Sequence, residues 1–130
     1  MSPIWKKKAL LELGGFDEQL TCMQDGDLHL RALIADMKFQ VLRNAPVDGY
    51  LRSANNYDRI SNRVDINKLR SKVLAIEKMY ELLSKKKMLT PVRERMITAH
   101  FLNISWNYQL EGNVADAKKL WKSTLDRGMI

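Results

Sequence analysis

Cysteine is almost missing from this chain. Cys22 stands alone in 130 residues, which excludes an internal disulfide and any zinc cluster built on several cysteines. A reducing cytoplasm is the simplest compartment that fits. No apolar run approaches the roughly 20 residues that a membrane span needs, and the opening MSPIWKKKALLEL lacks the apolar core of a secretory signal. Histidine is nearly as scarce. His29 reads as helix surface and His100, among apolar neighbours, as a structural residue, so neither supports a metal site. Proline and glycine are few, with three and six occurrences, and where they fall they punctuate.

What is present describes a globular chain. Apolar residues make up 45% and charged residues 28%, a balance that argues against disorder and for one small domain. The net charge of +7 is unevenly placed. Residues 1–65 hold 9 Lys and Arg against 9 Asp and Glu, whereas residues 66–130 hold 13 against 6. A balanced, turn-rich first half thus precedes a basic second half.

In the first half, WKKKALLEL predicts a short helix that Gly14 can end in the left-handed geometry glycine tolerates. Gly15 extends the turn and Phe16 is expected to anchor it on a core. DGDLHLRALIADM places Leu30, Leu33, Ile34 and Met37 at helical spacing, with Asp25 or Asp27 as N-cap. KFQVL, residues 38–42, alternates apolar and polar and predicts a short strand. Pro46 and Gly49 then mark a turn, a second strand is expected around Tyr50 to Arg52, and SANNYDRISNR reads as a loop.

The second half reads as helix throughout. Leu69, Val73, Ile76, Tyr80 and Leu83 draw one apolar stripe from about Asp65 to Lys87. Thr90 caps a helix with Pro91 at its first position, where the missing amide hydrogen costs nothing. That helix, to about Glu111, carries two apolar faces, Met96, Ala99, Trp106 and Leu110 on one and Ile97, Phe101, Ile104 and Tyr108 on the other, which predicts the middle layer of a small stack. EGNVADAKKLWKSTL adds a turn and a last helix with Ala117, Leu120, Trp121 and Leu125 expected inward. Residues 99–128 resemble one tetratricopeptide-type unit, with Gly112-Asn113 at its turn and Ala117 at its small packing position.

Four carboxylates, Asp17, Glu18, Asp25 and Asp27, crowd the approach to the second helix. Capping is one reading of Asp25 and Asp27, and a catalytic base is the other. GGFDE at Gly14 to Glu18, followed by Asp25, Asp27, Leu28 and Arg31, resembles the acceptor-side segment of family 2 glycosyltransferases, over roughly residues 4–62. The resemblance implies an α+β, mostly helical fold: residues 1–64 as the C-terminal, acceptor-side part of a GT-A domain whose N-terminal nucleotide-binding half is absent, and residues 65–130 as an all-α basic tail with the tetratricopeptide-like hairpin at about 91–128. It also implies inverting transfer of a sugar from a nucleotide-sugar to an acceptor hydroxyl on a glycan or a lipid-linked molecule, with Asp25 as general base.

By the same carry-over, Asp17, Glu18, Gln24, Asp27, Arg31 and Arg52 belong to the acceptor side. A divalent cation, Mg or Mn, is implied for the full-length enzyme, with its ligands mostly outside this chain and none expected within it. Two departures stand out. Gln24 replaces the usual glutamate of the family's acidic pair, and Ala54 falls where many members carry a histidine near the metal. Asp25-Gly26-Asp27 is not read as the family's Asp-x-Asp metal motif, because no apolar strand precedes it.

Other function classes remain open from the residues alone. The hairpin suits a helical adaptor that binds a protein partner, and exposed apolar surface predicts self-association. The basic half, with Lys85 to Lys87, Lys118, Lys119 and Lys122, suits an anionic membrane surface, giving a peripheral location at the inner face of the membrane. Nucleic acid fits less well, since the aromatics keep core spacing instead of interleaving with the cations.

Overall fold

The computed structural model describes residues 4–41 and 65–129. Five helices make up their regular structure: α1 (Lys7–Glu12), α2 (Gln24–Ile34), α3 (Ile66–Lys85), α4 (Pro91–Leu110) and α5 (Val114–Asp126). α3, α4 and α5 follow one another as antiparallel neighbours, α4 packing on both α3 and α5, while α2 lies against α3.

The stripe of α3 does what its spacing predicts. Leu69, Ile76 and Leu83 are buried and join Ile97, Phe101, Ile104 and Tyr108 of α4 and Ala117 and Leu120 of α5 in one core. Val73 and Tyr80 pack at its edge. The termini of these helices are closed by side chains, which supply acceptors to amides that the helix itself leaves unpaired. Asp65 accepts from Lys68 N, Thr90 from Arg93 N, and Asn113 from Asp116 N. Gly112, with φ of 76°, makes the left-handed step that separates α4 from α5.

Charged side chains lace the outer edges of this bundle. Arg127, just past α5, donates to Glu77 of α3 at 3.0 Å and lies over the rings of Tyr80 and Phe101 at 5.5 and 5.4 Å. At the other end Arg70 of α3 pairs with Asp116 of α5 at 3.6 Å. Both pairs reach from α3 to α5 across the helix between them.

Several expectations are corrected. Among the described residues there is no strand: Lys38 to Val41, expected as the start of one, form no ladder. The all-helical architecture overturns the α+β class and, with it, the GT-A assignment of the first half. The physical reason is that a period-2 pattern gives an apolar face but no hydrogen-bond partner, and a strand exists only when a second backbone pairs with it. The second strand, expected around Tyr50 to Arg52, and Leu42 lie outside the described residues.

The two-faced reading of α4 holds on one side only. Met96, Ala99, Trp106 and Leu110 are exposed, as are Trp121 and Leu125 of α5, which had been expected inward. Three helices enclose one core, so the second apolar face of α4 has nothing to pack against. Residues 91–128 thus form a helical hairpin, and the assignment to the tetratricopeptide family goes no further than that.

Candidate functional site

The site forms where the end of α1, the turn after it and the first two turns of α2 meet the side of α3. Gly14 and Gly15 both take left-handed backbone, with φ of 81° and 71°. Two such residues in succession reverse the chain within one step, a conformation that side chains beyond glycine resist. The reversal turns the carbonyls of Leu13 and Gly15 toward α2.

Arg31 collects them. Its Nη1 donates to Leu13 O at 2.5 Å and its Nη2 to Gly15 O at 2.8 Å. Its Nε donates to Asp27 Oδ2 at 2.9 Å, and Nη2 lies 2.7 Å from the same oxygen. The planar guanidinium can serve three acceptors at once because its five donors point outward in a fixed fork. Trp5 stacks on His29 at 5.8 Å with the rings 14° apart, a second tie between the α1 segment and α2.

On the far side, Asp17 bends the chain and binds α3. Its Oδ1 accepts from Gln19 N at 2.9 Å, and its Oδ2 accepts from Lys78 Nζ at 2.5 Å. Lys78 also donates to Gln19 Oε1 at 2.6 Å. The Lys78 hydrogen bond first, then that of the Gln19 amide, holds the Asp17 carboxyl below its ordinary 3.8. Ser71 of α3 anchors the chain just before α2: its Oγ accepts from Thr21 N and Cys22 N at 2.9 and 3.2 Å and donates to Cys22 O at 3.3 Å. Cys22 is thereby a structural residue, its Sγ donating to Lys68 O.

Gly14, Gly15, Phe16, Asp17, Asp27, Arg31, Lys78 and Leu82 line an open cleft of about 370 Å³. Phe16 is not the core anchor expected from its sequence position. It is 50% exposed and forms part of the cleft wall.

The sequence-predicted residues divide by place. Asp17, Asp27 and Arg31 come together at the cleft. Gln24 instead donates Nε2 to Leu20 O at 2.7 Å, and Glu18 is exposed away from it. Asp25 is exposed in the first turn of α2 and does not line the cleft. It is not the N-cap either, nor is Asp27: the cap position belongs to Met23, in left-handed backbone with no side-chain hydrogen bond. Arg52 lies outside the described residues. Among those described, no group of three or more His, Cys, Asp and Glu gathers as a metal site, and no helix is long and apolar enough to cross a membrane.

No protein-family model, curated protein or solved structure matches this chain. The helical architecture and the lack of a matching family together correct the glycosyltransferase family assignment. What the site holds must therefore be read from its own atoms. Sequence reasoning missed Lys78 and Ser71, which reach the site from α3 across 61 and about 50 positions. Neither stands out locally, since each sits on a regular helix.

Two outcomes follow from this geometry. Arg31→Lys leaves one ammonium to serve three acceptors, so amides near Leu10 to Gly15 should lose about 2 kcal/mol of hydrogen-exchange protection while those of α4 stay unchanged. Because the Asp17 pKa is lowered on folding, its contribution to stability is present at neutral pH and fades as pH falls through its ordinary value toward the lowered one. Lys78→Met should flatten the loss of stability below about pH 4, measured by denaturant unfolding at several pH values.

Proposed function

We propose that this protein carries the acceptor-activating part of an inverting sugar-transfer reaction, with Asp25 as general base. One observation carries the reading. Asp17 is engaged by Lys78 and Gln19, and Asp27 by Arg31, whereas Asp25 and Glu18 form no side-chain hydrogen bond or ion pair among the described residues, and of these two only Asp25 sits at a helix N-terminus. A carboxylate in that place is open to an incoming hydroxyl, as a general base must be. Its neighbours are fixed by the Arg31 clamp, so the helix that carries it is held in place, as positioning demands.

The cleft suits a sugar. The exposed ring of Phe16 offers an apolar face, and Asp17, Asp27, Arg31 and Lys78 offer hydrogen-bonding groups around it. Two residues along a helix turn about 200°, so Asp25 faces away from Asp27 and the cleft. An acceptor that occupies both is longer than one sugar ring and passes over the N-terminus of α2.

In the reaction, Asp25 removes the proton from the acceptor hydroxyl as its oxygen attacks the anomeric carbon, and the nucleoside diphosphate leaves from the opposite face. Binding the nucleotide-sugar and a divalent cation falls to residues outside those described. The reading fits a cytoplasmic protein. In a preparation that catalyses transfer to a glycan acceptor, Asp25→Asn should lower it by about 10²- to 10⁴-fold with donor binding nearly intact, followed by release of nucleoside diphosphate. Transfer that survives the substitution removes Asp25 from this role.

A separate observation favours a second reading, a helical module that binds protein. Trp106 and Trp121 are 59% and 47% exposed, and Leu110, Val114 and Leu125 accompany them on the α4–α5 hairpin. Large exposed aromatics are frequent anchors of protein contacts. A Trp106→Asp, Trp121→Asp variant should keep its helical circular dichroism and lose concentration-dependent association in light scattering. A wild-type chain that stays monomeric at high concentration excludes self-association through these side chains.

A further inference from the structure

The turn from α3 to α4 carries a charge excess that no contact absorbs. Over residues 84–96, SKKKMLTPVRERM, five cations accompany one carboxylate, Glu94. Lys85, Lys86, Lys87, Arg93 and Arg95 are all exposed, and none forms an ion pair among the described residues. Arg93 Nη1 donates to Met88 O at 2.6 Å, which fixes its guanidinium on the turn without neutralising it.

Two apolar side chains sit among these charges. Val92 and Met96, one helical turn apart at the start of α4, are 63% and 60% exposed. Cations beside exposed aliphatic groups at the end of a helix pair form a two-part surface. The ammonium and guanidinium groups meet anionic headgroups, and the aliphatic groups reach the boundary of the hydrocarbon. We propose that the α3–α4 turn is a docking surface for an anionic lipid bilayer.

Charge complementarity selects this occupant, and the apolar pair narrows it further. Nucleic acid would use stacking aromatics between the cations, and residues 84–96 contain none. The surface is independent of the Asp25 chemistry, which lies on α2.

Sedimentation of the 130-residue chain with vesicles tests it, using phosphatidylserine and phosphatidylcholine in equal parts against phosphatidylcholine alone. Binding is expected to the anionic vesicles only, with release as salt rises from roughly 50 to 500 mM. Replacing Lys85, Lys86 and Lys87 together with glutamine should weaken binding about a hundredfold with circular dichroism unchanged. Val92→Ser with Met96→Ser should weaken vesicle binding and leave binding to duplex DNA untouched. The proposal is overturned by no binding at low salt, by equal binding to neutral vesicles, by a lysine triple variant that binds as before, or by a serine pair without effect on vesicles, which would leave only a general attraction to polyanions.

Discussion

The Arg31 guanidinium is the tie on which the first part of the structure depends. α1 buries no residue, and a helix of six residues has no stability of its own in water. What keeps the segment in place is a cation on α2 whose donors meet Leu13 O and Gly15 O, with Asp27 balancing its charge. Side-chain exposures of 23% for Arg31 and 11% for Asp27 mean that the pair is partly withdrawn from water, where such hydrogen bonds count for more. The carbonyls of the Gly14-Gly15 turn would otherwise face a half-buried surface unpaired. One side chain therefore satisfies a backbone reversal and determines the shape of the cleft beside it.

A second layer of ties connects this unit to the bundle. Lys78 and Ser71 both project from α3, and each meets backbone or side chains of the segment 17–22. These polar ties run beside an apolar contact, in which Met23, Leu30 and Ile34 pack against the bundle core. The polar ties place the Asp17 turn with directional bonds, and the burial of Leu20, Leu28 and Ala32 supplies the apolar part of the same contact.

How much could be seen in the sequence follows from the range of the interactions. The stripe of α3, the Thr90–Pro91 start of α4 and the Gly112 step are local signals, and each is realised within one or two residues of its expected place. The Asp27–Arg31 pair, four residues apart on one helix, is local in the same sense. The exposure of Trp121, Leu125 and Phe16 is not. Each apolar pattern was assumed to meet a partner surface, and helix count, not periodicity, decides whether one exists. The strand at residue 38 fails for the same reason, with a hydrogen-bonding partner in place of an apolar one. Asp25 is the instructive case among the site residues: its carboxylate was legible, but the identity of the cap was not, since a methionine in left-handed backbone leaves no signature.

The uncovered face of α4 and the division of the site carboxylates into an engaged pair, Asp17 and Asp27, and an open pair, Glu18 and Asp25, point the same way. Asp17, Asp27, Asp65 and Asp116 are engaged by groups of the chain itself, whereas other charged groups are left open to a partner. Asp25 is such a group at the N-terminus of α2, and the cations of residues 85–95 are another set at the far end of α3. Desolvating large apolar groups supplies most of the energy of association, whereas unpaired charges steer and orient the partner. The exposed tryptophans offer area with little charge beside Trp106, and the α3–α4 turn offers charge with only two aliphatic groups. The two surfaces are therefore suited to different partners, one gripped by burial and one by electrostatic attraction.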